Sequence, residues 1–223
     1  MGRPIVSQKD ERPNEGPVHE VFLDEYYIDE FEVTNGDYKE CEDAGVCQAL
    51  LNPDSSAHAK AYYSNPDYAN FPVIYVDWFM AKEYCEWRGA RLPTEAEWEK
   101  AARGTGDERF PWGGQNLLSC AVVRYGACGR DPEAVGSHPI GASPYGVQDM
   151  AGNVWEWVAD WYGSDYYAVS PTKNPQGPTT GIYRVARGGG WNSDSTQLRV
   201  TYRDRFTPDL SAYNLGFRCA MSP

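Results

Sequence analysis

Asp149-Met-Ala-Gly-Asn-Val-Trp-Glu-Trp157 is the stretch on which the reading of this chain turns. It predicts an irregular turn running into two tryptophans. Glu156 stands between them, where the plain expectation for a carboxylate is a salt bridge. Upstream, Arg91-Leu-Pro-Thr-Glu-Ala-Glu-Trp-Glu-Lys-Ala-Ala-Arg103 predicts a helix. Thr94 is its N-cap, Glu97 completes a capping box, and Trp98 and Ala101 point inward. A helix is also predicted over 78–88, capped by Asp77, with Trp78, Ala81, Tyr84, Cys85 and Trp87 on its apolar face. Another follows Thr34-Asn35 as far as Ala44, with Tyr38 and Cys41 on one face and Gly45 as its stop.

Strand signals lie outside these helices. Residues 17–33 alternate apolar and polar side chains and predict two short strands turning near Asp24-Glu25. Phe71–Val76 predicts a strand, and so do 184–190, 198–203 and 215–220. Residues 48–70, 104–114 and 165–182 read as loops. No repeat, low-complexity tract or linker interrupts the chain, so 1–223 is expected to form one domain. With 8 Trp, 16 Tyr, 22 Gly and 16 Pro, the composition suits a loop-rich α+β domain rather than a helical bundle.

A net charge of −12 disfavours nucleic acid and anionic membrane surfaces as partners. No apolar run approaches the roughly 20 residues of a membrane span, so no membrane insertion is expected. The N-terminus lacks the charged-then-apolar pattern of a signal peptide. Among six cysteines, Cys41 and Cys47 bracket one short loop, Cys120 and Cys128 another, and Cys85 and Cys219 remain. Pairing suits an oxidising location (extracellular, periplasmic or cell-surface), and buried free thiols are the alternative. With no C-x2-C pair and only His19, His58 and His138, a Cys/His metal site is not expected.

Four blocks in order, Glu32-Val-Thr-Asn-Gly-Asp-Tyr38, Arg91–Trp98, Asp149–Trp157 and Arg187-Gly-Gly … Gly-Phe-Arg-Cys219, resemble the formylglycine-generating enzyme (sulfatase-modifying factor) family. The resemblance implies the sulfatase-modifying-factor version of the C-type-lectin-like fold, an α+β architecture with little regular structure, long loops and its N- and C-terminal strands together. It also implies a Cys85–Cys219 disulfide. It places a structural Ca²⁺ on the side chains of Asp149 and Glu156 and the carbonyls of Gly152 and Val154, hard oxygen donors suited to that ion. A second family calcium site falls on the Cys120–Cys128 loop near Arg124, whose charge should repel the ion.

The resemblance also puts the family's two copper-binding cysteines near Ser193 and Ser195. A hydroxyl does not replace a thiolate toward Cu(I), so copper and formylglycine generation are not expected. A further family disulfide would need cysteines at about Ala102 and Val200. Histidine-held iron and a Ser–His–Asp hydrolase find no matching arrangement. The chain is therefore read as leaning away from catalysis.

What the tail offers instead is a run of small polar and aromatic residues between framework positions. Trp191, Asn192, Ser193, Asp194, Ser195, Thr196, Gln197, Thr201, Asp204, Phe206, Asp209 and Tyr213 form the expected ligand-binding set, while Arg199 and Arg203 are expected to be buried and hydrogen-bonded. This resembles the variable proteins of diversity-generating retroelements, which implies a C-terminal face that binds protein or peptide ligands. The alternatives are an oxidoreductase of the superfamily with an untypical metal site, or an accessory domain of a larger kinase or protease-like protein.

Overall fold

Caps and glycines set the helices. In the computed structural model, which describes residues 13–52, 54–55, 61–113 and 118–223, α1 spans Asn35–Asp43, α2 Trp78–Trp87 and α3 Glu95–Arg103. Thr34 and Asp37 form a reciprocal capping box on α1, with aspartate in the role usually taken by glutamate. Asp77 accepts the Met80 amide on α2, and Thr94 pairs with Glu97 on α3. Gly104, at φ 68°, ends α3 in a conformation that favours glycine. The predicted inward faces are buried, except that Trp87 is 37% exposed because α2 ends there and its last turn faces solvent.

β2 (Trp155–Trp161) grows directly out of the 149–154 turn and is an inner strand of a four-stranded sheet ordered β4-β3-β2-β5. β3 (Arg184–Arg187) runs antiparallel to it with Glu156 opposite Arg187. β4 (Asp204–Phe206) pairs antiparallel with β3, and β5 (Leu215–Phe217) runs parallel to β2. β1 (Tyr27–Ile28) pairs antiparallel with β6 (Ala220–Met221), so the N- and C-terminal strands lie together as the resemblance implies. The result is a mixed α/β, loop-rich C-type-lectin-like fold.

Several strand expectations are corrected. Outside Tyr27–Ile28, residues 17–33 join no ladder, because their amides reach separate distant carbonyls: Phe22 to Thr172, Asp29 to Cys219 and Val33 to Phe217. Residues 71–76 likewise build no ladder: Pro72 forms an isolated antiparallel bridge with Thr34, the Tyr75 amide reaches Ala212, and Tyr75 sits at φ 62°. β3 stops at Arg187 because Gly188 and Gly189 turn to φ 92° and 77°. Residues 198–203 form turns that aim guanidiniums inward rather than a strand.

Buried guanidiniums, those of Arg199 and Arg203 together with Arg187 of β3, tie the loops to the core. Arg203 binds both oxygens of Glu95 at 2.7 and 2.8 Å, Arg187 reaches Glu99 at 2.7 Å, and Arg199 grips Glu15 bidentately. Arg199 and Arg203 are thus buried and paired, as expected. Ions this deep persist only when their partners and hydrogen bonds are supplied. The main apolar cluster gathers Tyr84, Trp155, Trp157, Leu215 and Phe217 around the Cys85–Cys219 disulfide. Cys41–Cys47 and Cys120–Cys128 complete three disulfides.

Candidate functional site

The turn before β2 is built on left-handed backbone: Asp149 at φ 57°, Gly152 at 82° and Asn153 at 55°. A Cβ on Gly152 would stand 2.1 Å from the Arg124 carbonyl, so this position requires glycine for space as well as conformation. The Asn153 amide donates to that same carbonyl at 2.9 Å, and its side chain donates to Glu32 at 2.6 Å. Asp149 accepts the Gly136 amide at 2.7 Å. Glu156 is fully buried, with Arg218 donating to both its oxygens at 2.7 Å and Trp98 Nε1 to one at 2.8 Å.

Three buried carboxylates, Glu32, Asp149 and Glu156, therefore cluster around the single guanidinium of Arg218. Burial, then the Asp149 and Glu156 charges, push the Glu32 carboxyl well above its ordinary range. Burial also raises Asp149. The donors fit a hard cation in kind and the excess negative charge fits it in sign. Glu156 would share its oxygens with Arg218. Among the described residues no three His, Cys, Asp or Glu side chains converge as a metal cage, so such an ion would depend on the Gly152 and Val154 carbonyls. At the neighbouring loop the Arg124 guanidinium already fills the cationic role: it donates to the carbonyls of Cys128 and Asp131 at 2.8 Å and to Glu133 at 2.6 Å.

Beyond Gly190 the chain alternates between buried and solvent-facing positions. Trp191 packs its ring 5.6 Å from Tyr213 and donates from Nε1 to the Tyr213 carbonyl at 3.4 Å. Asn192 donates to the Tyr213 hydroxyl at 3.3 Å and accepts from Asn214 at 2.9 Å. Asp194 accepts the Thr196 and Gln197 amides at 2.7 and 3.2 Å, which folds 194–197 into a compact polar turn. Asn192, Asp194, Ser195, Asp209, Leu210 and Tyr213 are exposed, and Thr196 and Gln197 half-buried. Asp204 and Phe206 lie on β4, where Phe206 sets its ring edge against Trp155 and Trp157.

Three expected members face inward instead: Trp191, which is 8% exposed, Ser193 and Thr201. Ser193 is buried and its Oγ accepts the Gly190 amide at 2.9 Å. Thr201 is buried and donates to Glu15 at 2.7 Å, drawn in by the Arg199 pair. Asn214 was missed although it adjoins Tyr213. Tyr75 was missed because only the fold brings it near the tail, its amide binding the Ala212 carbonyl. The copper positions do not fit copper: one hydroxyl is spent on a turn and the other, Ser195, is a solvent-facing alcohol. Ala102 and Val200 are both fully buried apolar members of one cluster. His58 lies outside the described residues. A separate groove of about 1110 Å³ runs between residues 18–28 and α3, away from these side chains.

The model of the sulfatase-modifying factor enzyme 1-like domain matches residues 2–223. The chain belongs to that family. It is 36% identical to the formylglycine-generating enzyme of Streptomyces coelicolor, with 92% of this chain and 81% of that enzyme aligned. It is 39% identical to the serine/threonine-protein kinase pkn1 of Chlamydia caviae across 98% of this chain, and spans only 36% of that kinase's length. Among solved structures it is similar to Treponema denticola variable protein 1, with a TM-score of 0.76, 26% identity, and coverage of 91% of this chain and 86% of that one.

Proposed function

We propose that this domain of the formylglycine-generating enzyme family is a non-catalytic module that binds a protein or peptide through the Trp191–Tyr213 face. The observation that carries the reading is the pair Ser193 and Ser195, one locked in a turn and the other exposed, where the family's oxidation needs two thiolates. Small polar groups beside aromatic anchors supply adaptable hydrogen bonding and rigid contact area, the combination that recognition loops use. The likeness to a variable protein supports a face of the retroelement type. Three disulfides support an extracellular, periplasmic or cell-surface location. Residues 149–156 are proposed to hold one structural Ca²⁺.

The kinase relative favours a second setting for the same module, as an accessory domain that presents this face from a larger protein. The discriminating experiment offers the purified domain copper(I) and a cysteine-containing peptide, then reads metal content and peptide oxidation by mass spectrometry. The reading requires calcium near one per chain, abolished in Asp149→Ala, with no stoichiometric copper and no formylglycine. Stoichiometric copper with peptide oxidation would make the domain an oxidoreductase.

A further inference from the structure

We infer that Cys120–Cys128 is a thiol–disulfide exchange site whose opening loosens the Trp191–Gln197 turn, so that a thiol reductant regulates the face proposed above. Cys41, Cys47, Cys85 and Cys219 are 0, 6, 0 and 1% exposed, whereas Cys120 lies open to solvent and Cys128 partly so. Exchange requires a thiolate to approach the sulfur along the S–S axis, which burial prevents and exposure permits.

The loop that this disulfide closes touches both halves of the site. At Arg124 its carbonyl accepts the Asn153 amide, and the would-be Cβ of Gly152 shows how tightly that carbonyl is seated. At its tip, the Gly126 amide donates to the Ser193 carbonyl at 2.9 Å. A Cβ on Gly126 would meet that oxygen at 2.9 Å and the Asn192 carbonyl at 3.3 Å, so the loop tip lies flush on the backbone of the turn. One flank is anchored by buried Val122 and Val123. The other flank is tied by the disulfide, by the Arg124 guanidinium, and by the Cys128 amide on the Tyr125 carbonyl at 2.8 Å.

The step is a two-electron exchange with a dithiol oxidoreductase or a small thiol. The reductant's thiolate attacks Sγ of Cys120, the Cys120–Cys128 bond breaks, and Cys128 leaves as a thiolate that takes a proton from solvent. A second reductant thiolate attacks the mixed disulfide, releases Cys120 and leaves as the reductant's own disulfide. The Val123 carbonyl, 3.6 Å from the Cys128 sulfur, is placed to accept the new S–H. With the covalent tie gone, the loop tip loses its purchase on Ser193.

The inference rests on the binding-face reading only for its consequence, and its test needs no ligand. The intact protein is titrated with dithiothreitol and alkylated, opened cysteines are mapped by mass spectrometry, and amide exchange is followed across 192–197. Cys120–Cys128 should open first, with exchange in that turn rising about ten-fold. Gly126→Ala, which keeps the disulfide but lifts the tip, should raise exchange comparably without reductant. Cys120→Ser/Cys128→Ser should start loose and not respond further. Earlier opening of either other disulfide, or an unchanged turn in the alkylated protein or in Gly126→Ala, would overturn the inference. If all of this holds and no ligand is found, the binding reading alone fails.

Discussion

Replacing Glu156 by glutamine leaves Arg218 buried with no carboxylate on its Nε and Nη2. Breaking a buried pair from one side costs about 3–5 kcal/mol, and urea denaturation of Glu156→Gln should show that loss. A second residue carries a pH dependence. Burial, then the neighbouring Glu95 charge, push Asp160 up from 3.8 to about 8, although it accepts the Glu95 amide at 2.7 Å. Because its folded value is raised, its contribution is full below pH 3.8 and declines as pH rises toward 8. Asp160→Asn should therefore gain stability over the parent at pH 8.5 and not at pH 4, as read by thermal melts. At this scale the sequence was legible where chemistry is local. A carboxylate between two tryptophans needs a cation or a salt-bridge partner, and Arg199 and Arg203 were legible as buried and hydrogen-bonded. Which acids, Glu15, Glu95 and Glu156, was not legible, since those partners lie 184, 108 and 62 positions away.

Helices and strands differ in how far their causes lie along the chain. The α3 cap is a matter of three residues, and Thr94→Ala should cost about 1 kcal/mol, measured by chemical denaturation. All three helices follow from such local signals. The strands do not. Residues 198–203 alternate like a strand, yet Arg199, Thr201 and Arg203 reach inward to Glu15 and Glu95, and this side-chain bonding displaces ladder pairing until Asp204. The same inward pull removed Thr201 from the expected binding surface. Asp149–Trp157 was legible as an irregular turn, because Gly152 and Asn153 favour left-handed backbone, but the strand Trp155–Trp161 that grows from it was not, since a nearly continuous buried run carries no alternation.

The whole molecule is closed by Cys85–Cys219, which spans 134 residues and fastens α2 to the chain end beside the β1–β6 pair. Chain-entropy arithmetic gives about 5 kcal/mol for a loop of that length, so Cys85→Ala/Cys219→Ala should unfold at far lower urea concentration. Under the proposed reading, the acidic chain, the three disulfides and the polar–aromatic tail make a domain that presents its C-terminal loops for binding. The most direct test is affinity. A peptide library displayed on phage is selected against the intact domain, and the enriched peptides are titrated calorimetrically into the domain, into Asn192→Ala/Tyr213→Ala, and into the groove variant Phe22→Ala. The account predicts a loss of at least about ten-fold in the 192/213 variant and none in Phe22→Ala. Equal affinity for the parent and the 192/213 variant, or loss confined to Phe22→Ala, would contradict it.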